Sequence, residues 1–171
     1  MTPASEKARI TRYPTMSLSA EHLVMGYLLR RNILAYKAPP LNEGYDLICI
    51  HPDPRKQGRQ IRVQVKSRMA TDCNRAFPVK GRTIDAFDYL IVVFLNVGYF
   101  LYKAARHRTT DGIREPEFFT FSSSFIREHH DSRTSWGTVR TGGLDIERFK
   151  NAAGLEQIAK DLAVRYPDRT S

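Results

Sequence analysis

The chain has 171 residues, 42% of them hydrophobic, with 27 Lys and Arg against 18 Asp and Glu for a net charge of +9. That length and composition suit one globular domain with one core and exclude a disordered tail. The longest apolar run, residues 89–95, is far short of the ~20 needed to cross a bilayer, the N-terminus lacks a secretory apolar segment, and two cysteines (Cys49, Cys73) make neither a disulfide framework nor a four-ligand zinc site, so the chain reads as cytoplasmic with no membrane partner.

Residues 1–16 (MTPASEKARITRYPTM) are polar and basic and read as a flexible arm before a single domain over 17–171. Ser17-Leu18-Ser19-Ala20-Glu21 combines capping residues with a first-turn acid, and Leu18, Leu23, Tyr27 and Leu28 recur at near-helical spacing. The pattern predicts a helix ending by Arg31-Asn32. Residues 33–37 predict a short strand stopped by Pro39-Pro40, Asn42-Glu43-Gly44 predict a turn, and 45–50 (YDLICI) a second strand with Cys49 as a buried thiol. A charged loop with two prolines and a glycine, 51–60, leads into 61–67. There Ile61, Val63 and Val65 alternate with Arg62, Gln64 and Lys66, the period of a half-buried strand.

Residues 72–82 look irregular, whereas 88–96 (DYLIVVFLN) are apolar on both faces, as in a central strand covered on both sides. Gly98 predicts a turn into a strand over 99–104, and 117–121 an edge strand. Ser122-Ser123-Ser124 caps a short helix over 125–130, where His129 and His130 read as helix-end residues rather than metal ligands. Residues 144–164 carry two helix-like segments around Gly154. The order predicts an α/β fold in which a mixed β-sheet is flanked by helices, with a core over 17–104 and a C-terminal helical extension over 122–171.

The positive charge is concentrated. Between 51 and 82 stand nine basic residues (Arg55, Lys56, Arg59, Arg62, Lys66, Arg68, Arg75, Lys80, Arg82) and two acids. Such a concentration is the electrostatic footprint of a nucleic-acid binder, because neutralising phosphates releases condensed counterions. An acidic protein partner is the other class of ligand it fits.

Asp46 stands in an otherwise apolar run, where a carboxylate is costly unless it is paired or holds a metal. If the second and third strands are neighbours, Asp46 approaches Gln64 and Lys66. A carboxylate, an amide oxygen and the Val65 carbonyl are hard oxygen donors of the kind Mg²⁺ takes. A structural Asp46–Lys66 ion pair is the competing reading. Glu21 is either a further ligand or a first-turn acid that favours the helix dipole. Glu43 reads as a turn carboxylate rather than a ligand.

The series Glu21, Asp46, Gln64-x-Lys66 resembles the PD-(D/E)XK nuclease superfamily, and more closely its branch with Q-x-K in place of E-x-K, which includes endonucleases associated with group I introns. GYDLI at 44–48 and VQVKS at 63–67 carry the resemblance, which spans about 17–104. It implies a restriction-endonuclease-like core and Mg²⁺-dependent hydrolysis of DNA, with Mn²⁺ as a substitute metal. Asp46, Gln64, the Val65 carbonyl and Glu21 would hold the metal. Lys66 would orient the attacking water and stabilise charge at phosphorus. Arg62 and Arg68 are cast as phosphate clamps, and Arg55, Lys56 and Arg59 as further DNA contacts. Tyr45 replaces the proline of the motif, and the neutral Gln64 lowers the charge of the site by one. Cutting two strands with one site per chain favours a homodimer. The alternative is a DNA-binding module on the same fold that does not cut.

Overall fold

The computed structural model describes residues 14–71, 75–98, 112–133 and 137–165. The elements in chain order are helix α1 (Pro14–Leu29), strands β1 (Leu34–Lys37), β2 (Leu47–Ile50), β3 (Gln60–Arg68), β4 (Ala76–Pro78), β5 (Tyr89–Phe94) and β6 (Glu117–Ser122), the short helix α2 (Ser123–Glu128), strands β7 (His130–Asp131) and β8 (Thr138–Arg140), and helix α3 (Asn151–Asp161). Most of the expected arm and Cys73, together with the strand expected at 99–104, lie outside the described residues. Pro14 opens α1 upstream of the expected cap at Ser17, consistent with proline's fixed φ at the first helical turn.

Five strands form the main sheet in the order β1-β2-β3-β5-β6. Neighbours are antiparallel except β3 and β5, which run parallel with Gln64 opposite Leu90 and Lys66 opposite Val92. The expected mixed sheet flanked by helices is therefore present. β5 is buried at every position, as its two apolar faces require, and β6 closes one edge.

Each face of the sheet has its own cover. On one, Ala20, Val24 and Leu28 of α1, four residues apart, meet Leu47, Cys49, Ile61, Val63, Ile91 and Val93, and Leu155 and Ile158 of α3 complete the cluster. Leu18, counted in the apolar periodicity, is instead exposed. Burial pushes the Cys49 thiol up to about 12. On the other face, Leu90, Val92, Phe94, Phe119 and Phe121 pack under a second, three-stranded sheet ordered β4-β8-β7, through Phe77, Val79 and Val139.

That second sheet is where the sequence reading differs from the structure. β4 falls in the stretch that looked irregular, and β7 and β8 interrupt the region expected to be helical. At two or three residues each they are too short to show a period, and their apolar side chains count only once the main sheet is there to receive them.

Gly154 was expected to separate two helices but lies inside α3. A Cβ there would stand 2.2 Å from the Phe149 carbonyl oxygen and 2.9 Å from Thr120 Cβ, so the glycine lets α3 settle against β6 and the turn before it. Helix propensity alone would make Gly154→Ala stabilising by about 1 kcal/mol. The clash with fixed backbone should reverse the sign, for a net loss of about 1–2 kcal/mol in urea unfolding. A more stable variant would show that α3 can move off the sheet.

Candidate active site

Asp46 stands one residue before β2, at the point where the chain leaves the ladder. Its N–H donates to the Val63 carbonyl at 2.8 Å, while its own carbonyl accepts from Ala38 N–H at 2.8 Å. The two backbone groups thus serve opposite neighbours, and the chain turns at Asp46. The side chain takes over the next ladder position, with Oδ2 accepting the Val65 N–H at 2.6 Å. Among the described residues Oδ1 accepts no hydrogen bond.

In an extended strand the N–H and C=O of one residue point the same way. The Arg62 and Arg68 carbonyls accept from Asp88 and Leu95 on the β5 side, so Val63 and Val65 address the β2 side. The Val65 carbonyl therefore faces the edge that the Asp46 carboxylate occupies, beyond the end of the β2 ladder at Leu47–Val63.

Gln64 and Lys66 project from the other face of β3, alongside Leu90 and Val92. They line an open cleft of about 200 Å³ with Glu43, Gly44, Pro78, Lys80 and Thr83. Gln64 is 9% exposed, and its Oε1 is buried with no hydrogen-bond partner among the described residues. Burial pulls the Lys66 ammonium below the usual lysine value, and the charges of Lys80 and Arg68 add to that, while the attraction of Asp46 partly opposes it. No ion pair joins Asp46 to Lys66, so the structural-pair reading of these residues has no contact behind it among the described residues.

The other sequence candidates fall in different places. Glu21 forms an ion pair with Lys37 of β1 and does not line the cleft. Arg62 is held by Asp88 through its backbone N–H at 2.7 Å and its guanidinium at 3.2 Å. Arg68 donates to the Ala76 carbonyl at 2.9 Å and lies over the Phe77 ring. Both arginines of β3 thus tie the sheet to its surroundings. Arg55 is bound by Asp53 in a one-turn 3-10 helix, and Arg59 reaches the C-terminal end of α3 at Asp161. Lys56 is exposed beside them. His129 and His130 bond the Phe125 and Val79 carbonyls, in keeping with structural roles.

Four lining residues were not singled out for the site: Glu43, Gly44, Pro78 and Thr83. Glu43 had a signal, three residues before Asp46 in one turn, but only the approach of 78–83 closes a cleft around it. Gly44, at φ +111°, permits that approach, since a Cβ would stand 2.4 Å from Ala86 Cβ. Among the described residues no three His, Cys, Asp or Glu side chains gather as a metal cluster.

No protein-family model matches the chain, and no curated protein matches its sequence. Solved structures do. A bacterial homing endonuclease shares 16% identity over 90% of this chain and 96% of its own, with a TM-score of 0.50. A Holliday junction resolvase from Archaeoglobus fulgidus aligns over 88% of this chain and 98% of its own at 8% identity and a TM-score of 0.42. The chain has the fold of the first, the restriction-endonuclease-like architecture that the motifs imply.

The depressed Lys66 titration has a direct check. The charged ammonium costs stability at all pH values below its folded pKa, and that cost fades as pH rises through it towards 10.5. Asp46→Asn removes the one opposing attraction, so Lys66 should titrate still lower when followed by NMR at its Cε. An unchanged midpoint would place the carboxylate too far away to act on it.

Proposed function

We propose that the chain is a metal-dependent DNA endonuclease. The observation that carries this reading is the buried, unpartnered Oε1 of Gln64 in a cleft beside Lys66. Leaving such an acceptor unmet costs about 1–3 kcal/mol, which a bound cation would offset. With the Asp46 carboxylate bonded to the Val65 N–H and the Val65 carbonyl facing the same edge of β3, the donors are all hard oxygens, which suits Mg²⁺, with Mn²⁺ as a substitute. The homing endonuclease that shares the fold supports DNA as the substrate.

The bound cation supplies a Lewis acid and an acidified water. Asp46, Gln64 and the Val65 carbonyl would hold it. Lys66, a cation kept partly out of solvent, would stabilise the negative charge that grows on the phosphorus oxygens and orient the incoming water. Arg62 and Arg68, fixed by Asp88 and by Ala76 and Phe77, set the strand that carries these groups. Arg55, Lys56 and Arg59 form the exposed basic surface for the DNA backbone, and a homodimer would bring one site to each strand.

Asp46→Asn retains an oxygen for the Val65 N–H and should abolish Mg²⁺-dependent cleavage of supercoiled plasmid while metal-free DNA binding and thermal melting stay close to those of the parent. Lys66→Ala should also stop cleavage but weaken binding slightly. Normal cutting by Asp46→Asn would end the proposal, and a parent that binds DNA but never cuts would establish the non-cleaving alternative. A separate measurement tests the DNA surface: neutralising Arg55, Lys56 and Arg59 together should flatten the slope of log K against log salt by about one unit per lost contact. An unchanged slope would put the interface on another surface.

A further inference from the structure

The donor set just described has one carboxylate, where Mg²⁺ is held by one or two. Glu21, the acid that the motif would add, is held by Lys37. One carboxylate does line the cleft with the orphaned Gln64 oxygen, and it belongs to Glu43.

Its position is built by the turn. Asn42 N–H donates to the Pro39 carbonyl at 3.2 Å, and Asn42 Nδ2 donates to the Tyr45 carbonyl at 2.8 Å, so the loop is closed on both sides of Glu43. Gly44 then packs on Ala86, which presses the turn against the segment carrying Lys80 and Thr83. Among the described residues the Glu43 carboxylate is engaged by Arg82 alone, with both oxygens at 3.4 Å and both side chains about 70% exposed. An exposed pair of this length is easily exchanged for a stronger partner.

We infer that Glu43 is the second carboxylate of the metal site, leaving Arg82 to complete with Asp46 and Gln64 the oxygen set for a divalent cation. This rests on the nuclease reading of the same cleft. Placing the acid on an exposed turn instead of at position 64 makes cation binding separable from the architecture of β3.

The test is calorimetric titration of the intact protein with Mn²⁺, beside Mg²⁺-dependent plasmid cleavage and thermal melting. Glu43→Gln should melt like the parent, bind Mn²⁺ about 10-fold more weakly or worse, and need correspondingly more Mg²⁺ to cut. The double variant Glu43→Gln with Gln64→Glu returns the negative charge to the cleft and should recover much of the affinity. Glu156→Gln, an exposed acid on α3, controls for loss of a surface charge and should bind Mn²⁺ like the parent. Unchanged Mn²⁺ binding by Glu43→Gln overturns the inference while leaving the nuclease reading intact. So does a loss of affinity in Glu21→Gln without one in Glu43→Gln. A parent that neither binds Mn²⁺ nor cuts overturns both.

Discussion

The hydrogen bond from Val65 N–H to the Asp46 carboxylate is the constraint from which the site follows. A ladder that continued would have put a backbone carbonyl of β2 at that position. The chain instead turns away at Asp46 to meet Ala38, and the side chain supplies the acceptor. The exchange keeps the Val65 N–H satisfied, which a buried backbone group requires. It also separates β1 and β2 from the far half of β3, so the edge beyond Val63 is free for a carboxylate and a carbonyl. Residues 39–45 cross that gap as a closed turn, and the cleft forms where 78–83 meets it.

The even-numbered face of β3 divides along the same line. Arg62 and Arg68, at the two ends, have their partners in Asp88 and in Ala76 and Phe77. Between them Gln64 has an oxygen without a partner among the described residues, and Lys66 bears a charge disfavoured by burial. The flanking arginines have partners within the fold, and the two central residues line the cleft. The alternation IRVQVKSR alone does not tell these apart, because the partners lie elsewhere in the chain.

The elements of the main sheet were legible because their signals are local. β5 is apolar on both faces and β3 alternates, and each period reports burial directly. Asp46, Gln64 and Lys66 stand out in the sequence for the same reason, as polar groups set into those patterns. Three kinds of feature were not. Strands β4, β7 and β8 depend on Phe77, Val79 and Val139 reaching a face that the main sheet provides. The continuation of α3 through Gly154 depends on a close approach to the Phe149 carbonyl that the glycine's own neighbours do not announce. The third concerns the long-range partners of the basic residues. The basic residues of 51–82 were counted against local acids, whereas Asp88 and Asp161 from outside that segment engage Arg62 and Arg59.

A neutral amide at position 64 makes electrostatic sense in this setting. Lys66 already feels the repulsion of Lys80 and Arg68 and is partly relieved by Asp46. A glutamate at 64 would stand about 7 Å away along the strand, on the same face, and would draw Lys66 towards itself. It would also oppose the approach of a phosphodiester to the cleft. The amide offers an oxygen to a hard cation without either effect. What it gives up is attraction for that cation. In the inferred metal site the negative charge of Glu43 on the exposed turn would restore it from the rim, where water screens its repulsion of an approaching polyanion and the loosely held Arg82 would give way. On the proposed nuclease reading the cleft would be positive towards DNA and still complete an oxygen cage.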